Sequence, residues 1–306
     1  MRAHRLPRLI SVLLAVLTAL AIGGATAATA LSGNAPGKAA AVPPRNDTSD
    51  EPVYFLKGYL GASSDATGSD CMDAWGPADK LFDEADWTGP RHFVGYYAGD
   101  KNCNTPLLDG GTKNTSLKEL GKALAWEIYR SYSQVGQSVD IVSHSMGGLI
   151  AQAAITGVER HETGWPPYIY VEDVASVAGP HGGTTFAYAC DPFEPTTQCR
   201  EMRPGSGFLD WTNDNPQSAQ GTDWTLIGAE SDWKIKWSAL AMSADHRVWY
   251  PETDATDGWT HENLNEITTG VYPQWYQNVP ERPGHDRTGA APARVAMNAL
   301  YWCEKW

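Results

Sequence analysis

An α/β protein built on a mainly parallel central sheet is the fold class this sequence predicts, and three observations carry the expectation. Short β-rich runs alternate with segments whose apolar residues recur at helical spacing, the pattern of βαβ units. One run, VDIVS (139–143), leads through a Ser-His-Ser-Met-Gly-Gly turn straight into the apolar stretch LIAQAAITGV, which reads as strand, sharp turn and helix. No longer period recurs, which argues against a solenoid or a propeller.

In order along the chain, VYFL (53–56) and HFVGYY (92–97) read as strands and SLKELGKALAWEIYRSY (116–132) as a helix. VDIVS is a strand followed by a helix from Met146. YVEDVASVAG (170–179), WTLIGA (224–229) and RVWY (247–250) are strands again, and APARVAMNALYW (291–302) closes the chain as a helix. The segment 180–223, rich in Pro, Gly and Asn, reads as an excursion over the carboxyl edge of the sheet, where open α/β sheets bind their ligands.

The 306 residues carry 42% hydrophobic and 19% charged side chains, a globular balance. A formal charge of −13 with no basic stripe argues against a nucleic-acid partner. At the N-terminus MRAHRLPR precedes the apolar run LISVLLAVLTALAIGG and small residues near Ala27 and Ala30. That is the order of a secretory signal, and the run is short for a membrane span. Residues 1–30 are therefore expected to be a signal peptide and the protein to be secreted, without a stable membrane anchor. Cleavage removes Arg2, Arg5 and Arg8, taking the charge from −13 to −16. Residues 31–52 read as a flexible leader and 53–306 as a single catalytic domain.

All five cysteines lie in the exported part, where disulfides persist. Cys190 and Cys199 bracket the loop DPFEPTTQ and are expected to be bridged. Cys71 and Cys103 flank another loop-rich stretch and form the natural second pair, which leaves Cys303 free. Four cysteines allow three pairings, and sequence does not choose among them. Zinc-type spacing is absent, so no metal site is expected.

The turn in Ser-His-Ser-Met-Gly-Gly has a mechanical meaning. A nucleophile presented on a strand-to-helix elbow needs small residues two positions before and after it, here Ser143 and Gly147 around Ser145. Ser143 departs from the usual glycine but adds only one small group. Met146, at the mouth of the helix, brings a backbone N–H to an oxyanion.

With VYFLKGYLG, VDIVSHSMGGLIAQAA, VASVAGPHGGT and the Asp- and His-bearing segment after WTLIGAESD, the chain resembles secreted bacterial lipases and esterases of the α/β-hydrolase superfamily. The resemblance spans residues 53–270 and is most specific at the elbow and GPHGGT. It implies an α/β-hydrolase fold, with Tyr59 N–H as second oxyanion donor beside Met146. Lys57 stands where such lipases carry His, and reads as a solvated structural lysine. His181, in GPHGGT, is implied to be structural, because the superfamily order is Ser, acid, His and His181 precedes every sensible acid. Asp232 follows a strand-like run and is the preferred acid, ahead of Asp245 and Glu230. His261 is the preferred base, with His285 as competitor; His246 lies too near a strand start, and His144 points elsewhere within the elbow.

The expectation is a secreted serine esterase or lipase in which Ser145, His261 and Asp232 work through an acyl-enzyme on acyl esters, lipids foremost. It acts as a monomer with no cofactor. Family lipases sometimes bind a structural calcium ion, but no recognisable loop for one is present. The alternatives are an acyltransferase or polyester hydrolase with the same triad, or a non-catalytic binding protein on the same fold.

Overall fold

The computed structural model describes residues 41–61, 66–190, 195–278 and 283–301. The strands and helices belong to one compact unit, Ala39–Trp306. The expected signal segment 1–30 and Cys303 lie outside the described residues.

Nine strands form one sheet: β1 (Val53–Leu56), β2 (Arg91–Gly95), β3 (Thr105–Pro106), β4 (Val139–His144), β5 (Val171–Val177), β6 (Asp223–Ala229), β7 (His246–Tyr250), β8 (Val271–Asn278) and β9 (His285–Ala290). Their spatial order is β3-β2-β1-β4-β5-β6-β7-β8-β9. Neighbours from β3 to β7 pair in parallel, while β8 and β9 pair antiparallel at the far edge. The α/β-hydrolase architecture expected from the sequence is the one observed.

β1, β4 and β5 are buried at every position, as strands covered on both faces must be. Side chains alternate across the sheet with period two. Tyr54 and Leu56 of β1 therefore join one core with α2 (Leu117–Ser131) and α3 (Met146–Glu159), whereas Val53 and Phe55 join a second core with α1 (Cys71–Glu84) and α6 (Pro292–Ala299). Two short helices, α4 (Thr197–Glu201) and α5 (Gly207–Trp211), lie within the 180–223 excursion. In α2, Gly121 permits close approach to α3: a Cβ there would stand 2.5 Å from the Ala153 Cβ.

Two expectations are corrected. The stretch after Cys71 is α1 and not loop, capped by Asp70, which accepts from Met72 N at 2.8 Å, and anchored by buried Trp75, Leu81 and Phe82. Gly76-Pro77 inside the helix disguised its period. The leader 31–52 is not free over its described end, because Arg45 and Asn46 bond Glu172 and Asp173, and Glu51 is buried. Long-range polar contacts of this kind were invisible to a composition argument. His285, the competitor for the base, opens strand β9 opposite Tyr276. β9, the edge strand, and β8 beside it are polar, HDRTGA and VYPQWYQN, without the apolar alternation that marks a strand in sequence.

Cys71 and Cys103 are bridged at an S–S distance of 2.02 Å, tying the start of α1 to the loop after β2. Cys190 and Cys199 are bridged across a Cα–Cα distance of 6.4 Å.

Candidate active site

Strand order reverses between β1 and β4: β2 and β3 lie to one side of β1, and the chain then returns to place β4 on the other. Such a switch point opens a crevice at the carboxyl ends of the strands. The loop after β1, with Lys57, Gly58 and Tyr59, and the turn after β4, with Ser145, flank this crevice.

The turn is tight. Ser145 has φ 54° and ψ −130°, a backbone region that a non-glycine residue occupies only under constraint. Its N–H donates to Val177 O of β5 at 2.9 Å. A Cβ on Gly147 would come within 2.2 Å of Leu56 O, so the position two after Ser145 must be glycine. Ser143, two before, is fully buried and tolerated, with its hydroxyl 3.5 Å from Ala175 O. A Cβ on Gly58 would lie 3.0 Å from the Ser145 Cβ and 3.4 Å from Oγ, so glycine there keeps the approach to the hydroxyl open.

Ser145 Oγ lies 2.8 Å from His261 Nε2, and His261 Nδ1 lies 2.8 Å from Asp232 Oδ2. Asp232 sits just beyond β6; its Oδ1 accepts from Lys234 N at 3.1 Å and Ile235 N at 3.2 Å, which leaves Oδ2 for the imidazole. His261 comes from the loop between β7 and β8. Leu264, buried in the core, and Asn265, whose amide donates to Ala74 O of α1 at 2.6 Å, hold that loop down.

His144 takes part in a way the sequence did not reveal. Its Nε2 donates to the His261 carbonyl oxygen at 2.7 Å, and its ring lies 5.0 Å from that of His261. Burial pushes its pKa down to about 3, and the neighbouring His261 adds to the shift, so His144 is a neutral donor. No motif announces this role, because the partner is a backbone carbonyl 117 positions away.

Lys57 is buried and not solvated, contrary to expectation. Its ammonium lies 3.0 Å from Asp100 Oδ1 and over the rings of Tyr96 and Tyr97, at 4.3 and 4.7 Å from their centroids. Burial lowers its pKa while Asp100 pulls the other way. Asp100 also accepts from the backbone N–H of Ser69, Tyr96 and Tyr97. The Tyr96 hydroxyl in turn reaches the Lys57 and Gly58 carbonyl oxygens, so this network fixes the segment entering Tyr59. The Tyr59 hydroxyl pairs with Thr196 Oγ1 at 3.3 Å. Met146 is the first residue of α3, where backbone N–H groups have no helical acceptor.

The competing residues stand elsewhere. Asp245 Oδ2 accepts from Trp224 N at 3.1 Å, and Glu230 accepts from Glu252 N at 3.0 Å. His181 is buried under the floor between Ser176 Oγ at 2.9 Å and Gln152 Oε1 at 3.0 Å, and burial pushes its pKa down to about 4. His246 pairs with Asp223 and His285 lies exposed on the edge strand.

Above Ser145 and His261 lies a cleft of about 350 Å³. Phe186, Met202 and Ile235 give it apolar walls, and Asp70, Asp73 and Glu262 give it an acidic rim. Such a space suits an apolar chain leading to a polar carbonyl.

The chain matches the family model of the PGAP1-like alpha/beta domain over residues 47–185 and that of lipase (class 2) over residues 126–273. No curated protein matches it. Among solved structures, a Bacillus licheniformis lipase in propeptide form is 19% identical, with a TM-score of 0.39, over 64% of this chain and 39% of that one. Aspergillus fumigatus lipase B is 14% identical, with a TM-score of 0.46, over 86% of this chain and 59% of that one. The chain thus spans well under half of the first and somewhat over half of the second. The sheet has the α/β-hydrolase architecture, and each of the two family-model matches covers somewhat under half of the chain.

Proposed function

We propose that the protein is a secreted serine hydrolase of carboxylic esters, with lipids as its principal substrate class. The observation that carries the reading is the unbroken relay from Asp232 through His261 to Ser145, with both links at 2.8 Å. Ser145 Oγ attacks the ester carbonyl carbon while His261 Nε2 takes the hydroxyl proton; Asp232 holds the Nδ1–H tautomer and stabilises the imidazolium. The tetrahedral oxyanion is held by the N–H groups of Tyr59 and Met146. Collapse breaks the bond to the alcohol oxygen, which leaves with the proton from His261. Water, deprotonated by the same imidazole, then attacks the acyl-enzyme; its proton returns to Ser145, and the carboxylic acid is released. No cofactor takes part in these steps.

The apolar cleft supports an acyl chain as the bound group. The signal-like N-terminus and the two disulfides support an exported protein. Among the described residues no helix is long and apolar enough to cross a membrane. A fluorophosphonate probe should label Ser145 stoichiometrically, and a series of p-nitrophenyl esters from short to long, with triolein emulsion alongside, ranks the substrates. An unlabelled, folded protein would point to a binding role and sink the hydrolase reading.

A further inference from the structure

On the face of the sheet that carries α3, the helical layer ends at β6. The core beneath α2 and α3 takes Trp224 and Leu226 from β6 and, among the described residues, none from β7, β8 or β9. Val248 and Tyr250 of β7 point to the opposite core, so Arg247 and Trp249 point to this uncovered face. Register places Gln277 and Trp275 of β8 beside them, and Asp286 of β9 beside Trp275. With Trp237, from the short helical turn Lys236–Leu240, these side chains line a cleft of about 520 Å³. No residue lines both this cleft and the one over Ser145.

Its walls are fixed by packing. Trp237 is 61% exposed, yet its ring stacks on Trp249 with centroids 3.7 Å apart and planes 13° from parallel. Ser238 Oγ bonds Gly182 N and Gly183 O, and a Cβ on Gly228 of β6 would stand 3.0 Å from both the Ala239 Cβ and the Trp249 ring. The turn bearing Trp237 is therefore seated closely on the sheet. Gly284 makes room for Trp275, since a Cβ there would meet its ring at 1.9 Å. Arg247 donates to Gln277 Oε1 at 2.8 Å and to Met242 O at 2.9 Å, which sets the plane of its guanidinium. Asp286 is exposed and, among the described residues, has neither a hydrogen bond nor an ion pair.

We infer that this cleft binds a neutral saccharide, with Trp237 as its stacking platform. A pyranose ring presents a face of C–H groups and a perimeter of hydroxyls. The C–H face fits the negative face of an indole, and a ring already held by Trp249 loses little freedom on contact. Each hydroxyl both donates and accepts. That matches the donors of Arg247, the carboxylate acceptor of Asp286 and the amide of Gln277, which has both functions. The charges of Arg247 and Asp286 cancel, which favours a neutral ligand. A proline-rich peptide brings carbonyl acceptors but no N–H from its prolines, and leaves Asp286 unmatched. An anionic lipid surface meets the same carboxylate with like charge. Because the two clefts share no lining residue, saccharide binding is independent of the esterase reading, and it holds the protein on a saccharide-bearing surface.

The test titrates full-length processed protein with cellohexaose, xylohexaose, chitohexaose and maltohexaose, followed by tryptophan emission and calorimetry. Saturable binding of at least one of these is expected. Trp237→Ala should weaken it at least about tenfold through the lost stacking contact, with the unfolding midpoint and p-nitrophenyl ester turnover retained. Asp286→Ala, at an exposed position, should weaken it at least about threefold, the scale of one hydrogen bond. If folded wild-type protein binds none of these saccharides, the inference fails. Equal binding by wild type and Trp237→Ala also overturns it, because the saccharide then sits elsewhere. Binding of decaproline or phosphatidylglycerol vesicles through Trp237, without saccharide binding, would assign the cleft to a peptide or a lipid surface instead.

Discussion

Asp232 and Asp140 are both buried carboxylates at strand ends of the same sheet, yet each oxygen of the first has a hydrogen-bond partner and one oxygen of the second has none. The difference holds for the ionisable groups around them, although the neutral Ser231 Oγ and Asn265 Oδ1 near Asp232 and His261 are also unpartnered. At the carboxyl ends of the strands, His261, His144, His181 and Lys57 are each held by named partners. At the amino ends, Glu51, Asp140 and Asp223 each keep an unpartnered buried oxygen. A site that stabilises charge during a reaction needs its dipoles fixed beforehand, which requires saturated hydrogen bonding around them. At the amino end, where no such reaction is placed, burial instead pushes the Glu51 and Asp140 carboxyls above their ordinary range.

The largest effect that would break this comparison is at Ser145. Ser145→Ala should lower kcat on a p-nitrophenyl ester by about 10⁶-fold with the unfolding midpoint retained. Near-wild-type turnover in the folded variant would remove Ser145 as nucleophile. His261→Ala should cost about 10⁴–10⁶-fold. His285→Ala, on the exposed edge strand, should stay within about tenfold, the scale of one lost peripheral contact. Steady-state kinetics on the two variants decides between them, and the reverse order would move the base to His285.

Asp232→Asn should lower kcat by about 10⁴-fold, because an amide at this position no longer enforces the Nδ1–H tautomer. Asp245→Asn should leave kcat within about tenfold, since its carboxylate accepts from the Trp224 N–H and not from His261. A comparable loss of kcat in both would mean that general destabilisation and not the relay is being measured.

The smallest effect sharpens the contrast through pH. Burial holds His144 at about 3 and His181 at about 4, below the 6.5 of a free imidazole. Between those values the unfolded chain binds more protons than the folded one. Their contribution to stability is therefore complete above pH 6.5 and is lost as the pH falls toward 4 and then 3. His181→Gln should flatten the decline of the unfolding midpoint on acidification, measured by circular dichroism. A decline as steep as wild type would show that His181 contributes nothing to it.

Much of the molecule could be read locally. The order of β1, β2, α2, β4, α3, β5, β6, β7 and α6 follows from runs whose apolar period lies within a few residues. The elbow was legible because its constraints concern Ser143, Ser145 and Gly147, all within one turn. Asp232 and His261 were reachable by ordering strands and asking which carboxylate and imidazole follow them, but Asp245 and His285 met the same local conditions.

Distance in three dimensions was needed for that choice, and for what no motif records. His261 reaches Ser145 across 116 positions and receives the His144 bond across 117. Lys57 looked like a surface lysine until Asp100 and two tyrosines enclosed it. α1 was hidden by Gly76-Pro77, and β8 and β9 by polar residues tolerated at the antiparallel end of the sheet. Arg45 meets Asp173 across 128 positions, so the acidic cluster exists only once the sheet has aligned β4 with β5 and the preceding segment has docked. Sequence by itself determined which elements form and where a nucleophile can be presented, because local periodicity and turn sterics act within a few residues. Which distant carboxylates and histidines meet was decided by the tertiary structure alone, because strand order and register set those distances.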